Sequence, residues 1–138
     1  MPQTAAAQPD ERRILIVEDE QVIRTTLAEF LSGEGYVVSE AGTVQAAIEL
    51  ARSTDFHAAV CDVQLPDGDG VALMKRLQQI HASTFVLIIT AYASVETAIE
   101  AFKAGAFDFL IKPVRFEDLQ NKLDRVFQFR ALYRENQL

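Results

Sequence analysis

The stretch Ile14-Leu15-Ile16-Val17-Glu18-Asp19-Glu20 sets a continuous aliphatic run directly before three carboxylates. Consecutive aliphatic residues without polar alternation are typical of a strand that is buried on both faces. Strands of this kind occur in parallel sheets that helices cover on both sides, so the stretch predicts an α/β fold. It also predicts that the carboxylates lie at the end of the strand, where the chain leaves the core.

The alternation of apolar strand and amphipathic helix continues along the chain. Strands are predicted at residues 14–17, 36–38, 58–61, 85–89 and 107–111, and helices at 21–32, 43–52, 71–80, 94–104 and from 116 onward. Thr43 and Ser94 are expected to cap the second and fourth helices. Five strands joined by helical crossovers predict a doubly wound, five-stranded parallel sheet of the (βα)5 type. Such sheets bind ligands outside the carboxyl ends of their strands.

The composition narrows the class of protein. The 138 residues carry 13 Lys and Arg against 20 Asp and Glu, a net charge of −7, which argues against nucleic acid as a direct partner. Cys61 is the sole cysteine, which excludes an intrachain disulfide and favours a reducing, cytoplasmic location. The apolar runs are too short for a membrane span. Residues 1–11 hold two prolines without apolar periodicity and are predicted to form a flexible tail.

Four predicted strands end in polar or charged residues, which are Glu18-Asp19, Asp62, Thr90 and Lys112-Pro113. Because these ends share one edge of the sheet, the side chains should converge. Two carboxylates about 4 Å apart repel by about 4 kcal/mol at an effective dielectric near 20, so a group of three favours a bound cation. Mg²⁺ prefers such oxygen ligands. Asp19 as a helix cap, Asp62 as a turn residue and Lys112 as a surface lysine are the plainer alternatives.

A metal ion, a lysine and a threonine around one aspartate together describe a phosphorylation site. A carboxylate such as that of Asp62 is a competent nucleophile for phosphoryl transfer. Mg²⁺ and Lys112 would neutralise the phosphoryl oxygens, and the Thr90 hydroxyl would donate a hydrogen bond to one of them. The Lys112–Pro113 bond is one that can adopt the cis form.

With these residues at its strand ends, the chain resembles the receiver domain of two-component response regulators. The resemblance rests on four motifs in order, 14–20, 62–70, 89–91 and 112–113, and covers residues 12–130. It implies the flavodoxin-like strand order 2-1-3-4-5, an arrangement that receivers are known to share. It also implies a protein that acts as a signalling switch and is not an enzyme in its own right.

The resemblance assigns a role to each residue of the motifs. Asp62 would accept the phosphoryl group from a phosphohistidine on a sensor histidine kinase, with Lys112 beside it. The implied Mg²⁺ ligands are Asp19 and Asp62 directly, Glu18 through water, and the backbone carbonyl of Gln64. Thr90 and Phe109 would be the switch residues; phenylalanine has no hydroxyl, so Phe109 would act by packing alone. No organic cofactor is expected.

The segments 90–94 and 98–110 are similar to receivers of the nitrogen-regulator type, which precede an ATPase that acts on sigma-54 polymerase. The chain contains no G-x-x-x-x-G-K-[ST] motif, so the output domain or effector partner stays open. We expect a receiver domain at 12–128. Residues 129–138 would extend the last helix and begin a linker to a possible output domain.

The residues argue against three other functions. A Mg²⁺-dependent phosphohydrolase could use Asp62 as nucleophile, but Gln64 stands where its acid residue would be. A flavin-binding module would need a phosphate loop after the first strand, where Glu18-Asp19-Glu20 would repel phosphate. A degenerate docking domain would not need the complete acidic set.

The last helix carries two apolar stripes. The inner stripe is predicted to be Leu119, Leu123 and Phe127. The second follows a coiled-coil rhythm with one polar position, and its members are Val126, Phe129, Tyr133 and Asn136. An exposed second stripe would mark a partner surface and predicts a homodimer through the last helix.

Overall fold

A computed structural model describes residues 11–91 and 95–137. The strands are β1 (Arg13–Val17), β2 (Val37–Ala41), β3 (Ala58–Asp62), β4 (Gln64–Leu65), β5 (Gly68–Asp69), β6 (Phe85–Thr90) and β7 (Asp108–Ile111). The helices are α1 (Gln21–Gly33), α2 (Val44–Ser53), α3 (Gly70–Ile80), α4 (Val95–Ala104) and α5 (Phe116–Gln137). None of the helices in these ranges combines the length and the apolar composition of a membrane crossing.

The main sheet has five parallel strands in the order β2-β1-β3-β6-β7. With the two-residue strands left out, this is the predicted 2-1-3-4-5 order, which is confirmed. The short antiparallel ribbon of β4 and β5 was not predicted from the sequence. Pro66 and Asp67 connect these strands, and proline suits this turn because its φ is already fixed near the required value. The ribbon begins two residues after Asp62, so it shapes the loop at the site.

Alternate residues of the central strands enter two separate cores. One core contains Leu15, Val17, Cys61 and Ile88 from the sheet and is covered by α2, α3 and α4. The other contains Ile14, Ile16, Val60 and Leu87 and is covered by α1 and α5. The central strands are therefore buried on both faces, as the aliphatic runs predicted. Burial of this kind holds the strand ends at fixed positions along one edge.

Caps and glycines shape the loops that join the helices to the strands. The Thr43 hydroxyl accepts a hydrogen bond of 3.0 Å from the backbone N–H of Ala46, as predicted for the start of α2. Gly35 follows the end of α1 with a φ of 98°, a conformation that glycine adopts without strain. Ser94, the other predicted cap, lies outside the described residues.

The packing of the last helix shows that one prediction from the sequence is wrong. Val126 is completely buried beside Leu119 and Leu123, so it belongs to the inner stripe and not to a second, exposed one. The reason is the helical repeat, since spacings of four and then three residues keep these three side chains on one face. Phe129 is about half exposed, and its ring still contacts Phe85. The side chains of residues 133–138 lie outside the described part of the structure.

The region after residue 126 also packs on the sheet. The Phe127 ring lies against Tyr36 and His57, with centroids 6.1 Å and 5.9 Å away. The Arg130 guanidinium donates hydrogen bonds to the backbone oxygens of His57, at 3.1 Å, and of Ser83. These contacts hold α5 against the sheet through residue 130.

The corrected packing of α5 predicts a stability difference between two substitutions on it. Val126→Ala should lower the free energy of unfolding by about 2 kcal/mol, because it removes two buried methyl groups and leaves a cavity. Leu132→Ala, at a position 60% exposed, should change it by less than about 0.5 kcal/mol. Urea unfolding of both variants measures the difference. Equal losses would mean that Val126 does not belong to the core.

Candidate functional site

The site is a cleft at the carboxyl edge of the main sheet. Its walls come from the loops after β1, β3, β6 and β7, and the lining residues include Asp19, Asp62, Gln64, Thr90 and Lys112. Glu18 lies beneath the cleft and is fully buried. The structure thus brings together the residues that the sequence analysis placed at the strand ends. Phe109 lies elsewhere, on β7 at the edge of the sheet.

Three carboxylates meet in this cleft. Glu18, Asp19 and Asp62 each offer one oxygen, and the three oxygens lie within 4.8 Å of one another. Asp62 is only 4% exposed, whereas Asp19 is exposed to solvent. The acidic groups therefore form a compact set that opens to solvent on the side of Asp19.

Lys112 is the cation that faces this set. Its Nζ lies 2.5 Å from Asp62 Oδ2 and 3.1 Å from Glu18 Oε1. Its backbone N–H donates to the carbonyl oxygen of Thr90 at 2.8 Å, and the peptide bond to Pro113 is cis. One ammonium group thus binds two of the three carboxylates and is tied to the end of β6.

Burial and charge act in opposite directions on these groups. Burial raises the pKa of Glu18, although the backbone N–H of Glu20 and the Lys112 ammonium both favour the ionised carboxylate. Burial alone would lower the pKa of Lys112, but hydrogen bonds to Asp62 and Glu18 outweigh it and raise that pKa. Lys112 therefore remains protonated at neutral pH.

The Asp62 carboxylate is held from two sides. Its Oδ1 accepts a 2.9 Å hydrogen bond from the backbone N–H of Gln64, while Oδ2 accepts from Lys112. Thr90, 7% exposed, ends the neighbouring strand β6 and lines the same cleft. The arrangement places a nucleophilic carboxylate, a hydroxyl and an ammonium around one small volume.

Gly70 is a site residue that the sequence analysis missed. A Cβ atom built on Gly70 would lie 2.0 Å from the backbone oxygen of Asp62. The Gly70 N–H also donates to Val63 at 2.7 Å, which closes the loop after β3. Only glycine fits at this distance, so Gly70 fixes the backbone that carries Asp62. The Asp69-Gly70 pair before an apolar helix was the available sequence signal.

Asp67 is a second missed residue, and it joins this loop to α2. Its two carboxylate oxygens accept hydrogen bonds from the backbone N–H groups of Val44, at 2.7 Å, and Gln45, at 3.1 Å. With the Thr43 cap, the first N–H groups of α2 are therefore satisfied. These hydrogen bonds lower the pKa of Asp67. They anchor the ribbon that follows Asp62 to a neighbouring helix.

Phe109 sits between α4 and α5. Its ring meets the Phe102 ring edge-on with centroids 6.0 Å apart. Lys122 Nζ lies 5.2 Å from the Phe109 ring centroid and donates to the Phe109 carbonyl oxygen at 2.5 Å. The Asp108 carboxylate pairs with Lys122 and Arg125 of α5. Phe109 is thus in contact with both helices that flank the edge of the sheet.

The donor set suits a hard divalent cation. Among the described residues, three carboxyl groups face the Lys112 ammonium group, so acidic groups outnumber basic ones in the cluster. All of its ligand atoms are oxygens, which Mg²⁺ and Ca²⁺ prefer over nitrogen or sulfur. The residues present therefore fit a magnesium-type ion.

Residues 14–124 match the family model of the response regulator receiver domain. The chain belongs to the response regulator receiver family. It is 42% identical over 116 residues to the transcriptional regulatory protein ZraR of Escherichia coli K12. That match covers 84% of this chain and 26% of ZraR. The family match supports a phosphorylation switch in two-component signalling over the phosphohydrolase alternative.

Two solved receivers share the fold. A Burkholderia pseudomallei response regulator, solved with a phosphorylated aspartic acid, a calcium ion and citrate, is 30% identical with a TM-score of 0.78; the match covers 89% of this chain and 73% of that one. The beryllofluoride-activated NtrC4 receiver dimer is 35% identical with a TM-score of 0.81, covering 86% and 98%. The NtrC4 match confirms the predicted similarity to nitrogen-regulator receivers. The chain spans about a quarter of the length of the curated relatives it first matches.

The Asp67 contacts predict a pH-dependent contribution to stability. The pKa of Asp67 is lower in the folded chain than its ordinary value of 3.8. The ionised carboxylate therefore stabilises the folded chain at pH values above 3.8. Asp67→Ala should therefore unfold at lower urea concentration at pH 7. The gap from wild type should hold down to about pH 5 and shrink as the pH falls below 3.8.

Asp67→Asn is the matched control for this prediction. It keeps one acceptor oxygen without the charge, so its stability gap from wild type should be smaller at pH 7. A gap for Asp67→Ala that stays constant from pH 7 to the acid limit of folding would contradict the role of the ionised carboxylate.

Proposed function

We propose that this receiver accepts a phosphoryl group on Asp62 from a phosphohistidine of a sensor histidine kinase. The observation that carries the proposal is the clamp on the Asp62 carboxylate between Lys112 Nζ and the backbone N–H of Gln64. This clamp fixes the carboxylate at the floor of an open cleft. A donor phosphoryl group can therefore approach it from solvent.

In the transfer step, an Asp62 carboxylate oxygen attacks phosphorus. The new O–P bond forms as the P–N bond to the donor imidazole breaks, and the electron pair stays on the imidazole nitrogen. Lys112 neutralises the phosphoryl oxygens, and the Thr90 hydroxyl donates a hydrogen bond to one of them.

The metal ion of the proposed site is Mg²⁺. Asp19, Asp62 and the backbone carbonyl of Gln64 would bind it, and Glu18 would act through water. When bound, Mg²⁺ supplies positive charge that offsets the repulsion between the carboxylates and the incoming phosphoryl oxygens. Glu18 has a second role, because its buried carboxylate holds Lys112 beside Asp62.

The signal would leave the site along the β6–β7 edge. Thr90 ends β6, and its carbonyl oxygen accepts from the backbone N–H of Lys112, which follows β7. Phe109, on β7, contacts Phe102 of α4 and Lys122 of α5. Movement of Thr90 or Lys112 toward a phosphoryl group would therefore change the packing between these two helices. Phe109 would respond through its ring contacts alone.

The proposal predicts one site of phosphorylation. Acetyl phosphate with Mg²⁺ should add a single phosphoryl group to the wild-type chain, visible as one mass increment. Asp62→Asn should gain none, because an amide cannot act as the nucleophile. Intact-mass spectrometry measures the increment.

Asp55→Asn is the control for this experiment, since Asp55 is an exposed aspartate away from the cleft. It should be phosphorylated like wild type. Labelling of Asp62→Asn at the wild-type rate would refute the assignment of Asp62 as the acceptor.

We further propose a receiver domain over residues 12–128, with α5 leading onward to an output domain or effector, and a homodimer through α5 and the neighbouring sheet face. Large apolar side chains are exposed on this side of the molecule: Ile99 and Phe102 of α4, Ile111 of β7, and Phe129 and Leu132 of α5. An exposed apolar group of this kind supports a protein partner. The solved NtrC4 receiver, a relative of this chain, is described as a dimer.

The proposed dimer predicts a difference between two faces of the molecule. Leu132→Glu should raise the dimer dissociation constant at least tenfold, because a charge would enter the apolar contact. Val22→Glu, at a 79% exposed position on α1, should leave it unchanged. Sedimentation equilibrium, with and without phosphodonor, measures both. A wild-type chain that stays monomeric at high concentration in both conditions would rule the dimer out.

A further inference from the structure

Arg24 on α1 binds the backbone at the point where β1 becomes the acidic loop. Its Nη1 donates a 2.8 Å hydrogen bond to the carbonyl oxygen of Glu18, and its Nε lies 3.3 Å from Glu40 Oε1 at the end of β2. The Arg24 side chain is 19% exposed, so most of it is buried between these partners. One guanidinium thus links α1 to the ends of two strands.

The hydrogen bond from Arg24 to the Glu18 carbonyl oxygen takes the place of a sheet hydrogen bond that β2 does not provide. The Glu18 N–H donates to the carbonyl of Ala41 at 3.0 Å, which is the last rung between this part of the chain and β2. Beyond Ala41 the chain turns at Gly42 into α2, so β2 provides no further rung for the Glu18 carbonyl. Arg24 supplies the donor instead, and Gly42 leaves room for it, because a Cβ there would lie 3.0 Å from Arg24 Nη1.

The hydrogen bond to the Glu18 carbonyl oxygen also affects the backbone of Asp19. The peptide unit between Glu18 and Asp19 is planar, so fixing the Glu18 oxygen also fixes the direction in which Asp19 begins. The Glu18 side chain has its own anchors in Lys112 and the backbone N–H of Glu20. Asp19, in contrast, is exposed, and the orientation of its backbone depends on this peptide plane.

We infer that Arg24 is a positioning residue that holds Asp19 in place to bind a divalent cation. The inference rests on the proposed function, since it assigns the means by which this chain keeps its metal site in order. Groups that orient metal ligands typically contribute a factor of 10 to 100 in metal affinity. Glu40 orients the guanidinium and offsets its charge.

A purely electrostatic role for Arg24 predicts a change in Mg²⁺ affinity opposite to that of a positioning role. The direction of the measured change therefore tests the inference. Removing Arg24 makes the surroundings of the carboxylates more negative, so a purely electrostatic role would tighten Mg²⁺ binding. A role confined to fold stability would leave the affinity of the folded protein unchanged. A positioning role alone predicts weaker binding.

The test is a Mg²⁺ titration of the full chain, followed by the ¹H–¹⁵N resonances of Asp19, Glu20 and Gln64. Arg24→Ala should weaken binding at least tenfold. Arg24→Lys should weaken Mg²⁺ binding nearly as much as Arg24→Ala does. The lysine ammonium keeps the charge but lacks the forked guanidinium that reaches Glu18 and Glu40 together. Arg52→Ala, at an exposed arginine on α2, should bind like wild type.

A second readout separates this role from direct contact with the phosphoryl group. Phosphorylation of Arg24→Lys by acetyl phosphate should be slow at low Mg²⁺ and return to the wild-type rate at saturating Mg²⁺. A deficit that persists at saturation would overturn the positioning role.

The outcomes are distinct from those of the proposed function. If wild type itself binds no Mg²⁺, the proposed site fails. If wild type binds Mg²⁺ and Arg24→Lys binds it equally well, only the role of Arg24 fails. Arg24→Lys keeps the long aliphatic stem and the charge, so it decides the question even if Arg24→Ala does not fold.

Discussion

The structure depends on holding carboxylates close together where a buried sheet ends. Glu18 and Asp62 are almost completely buried, and isolated buried charges are costly. Lys112 binds both of them and makes the arrangement tolerable, at 2.5 Å from Asp62 and 3.1 Å from Glu18. The parallel sheet makes this contact possible, because the ends of β1, β3 and β7 lie at one edge although they are far apart in sequence.

The sequence was enough to predict the residues that meet at this edge. The aliphatic runs located the strands, and a parallel sheet then determines which strand ends share an edge. The structure added the loops. Asp67 bonds to Val44 and Gln45, and Arg24 bonds to Glu18 and Glu40; these partners depend on how loops of different strands meet in space. Periodicity describes how one segment folds and carries no signal for contacts of this kind.

The last helix shows a different limit of sequence reasoning. Its apolar residues fit either an inner stripe or a coiled-coil seam, since both patterns use spacings of three and four. Val126 satisfies both patterns, and its burial assigns it to the core. What decides between them is which face of the helix is turned toward the sheet. That face is held here by contacts distant in sequence, such as those of Phe127 with Tyr36 and of Arg130 with the backbone of His57.

The same electrostatic constraint offers a route by which the proposed phosphorylation of Asp62 would reach the surface. Lys112 divides its contacts between two carboxylates, so a phosphoryl group added at Asp62 competes for the same ammonium. The backbone of Lys112 is bonded to Thr90, and β7, which precedes it, carries Phe109 between α4 and α5. A ligand shifts an equilibrium only by its differential interaction with the two states. A redistribution of Lys112 and Thr90 toward phosphoryl oxygens would provide such a difference, and the packing around Phe109 is where the surface would change.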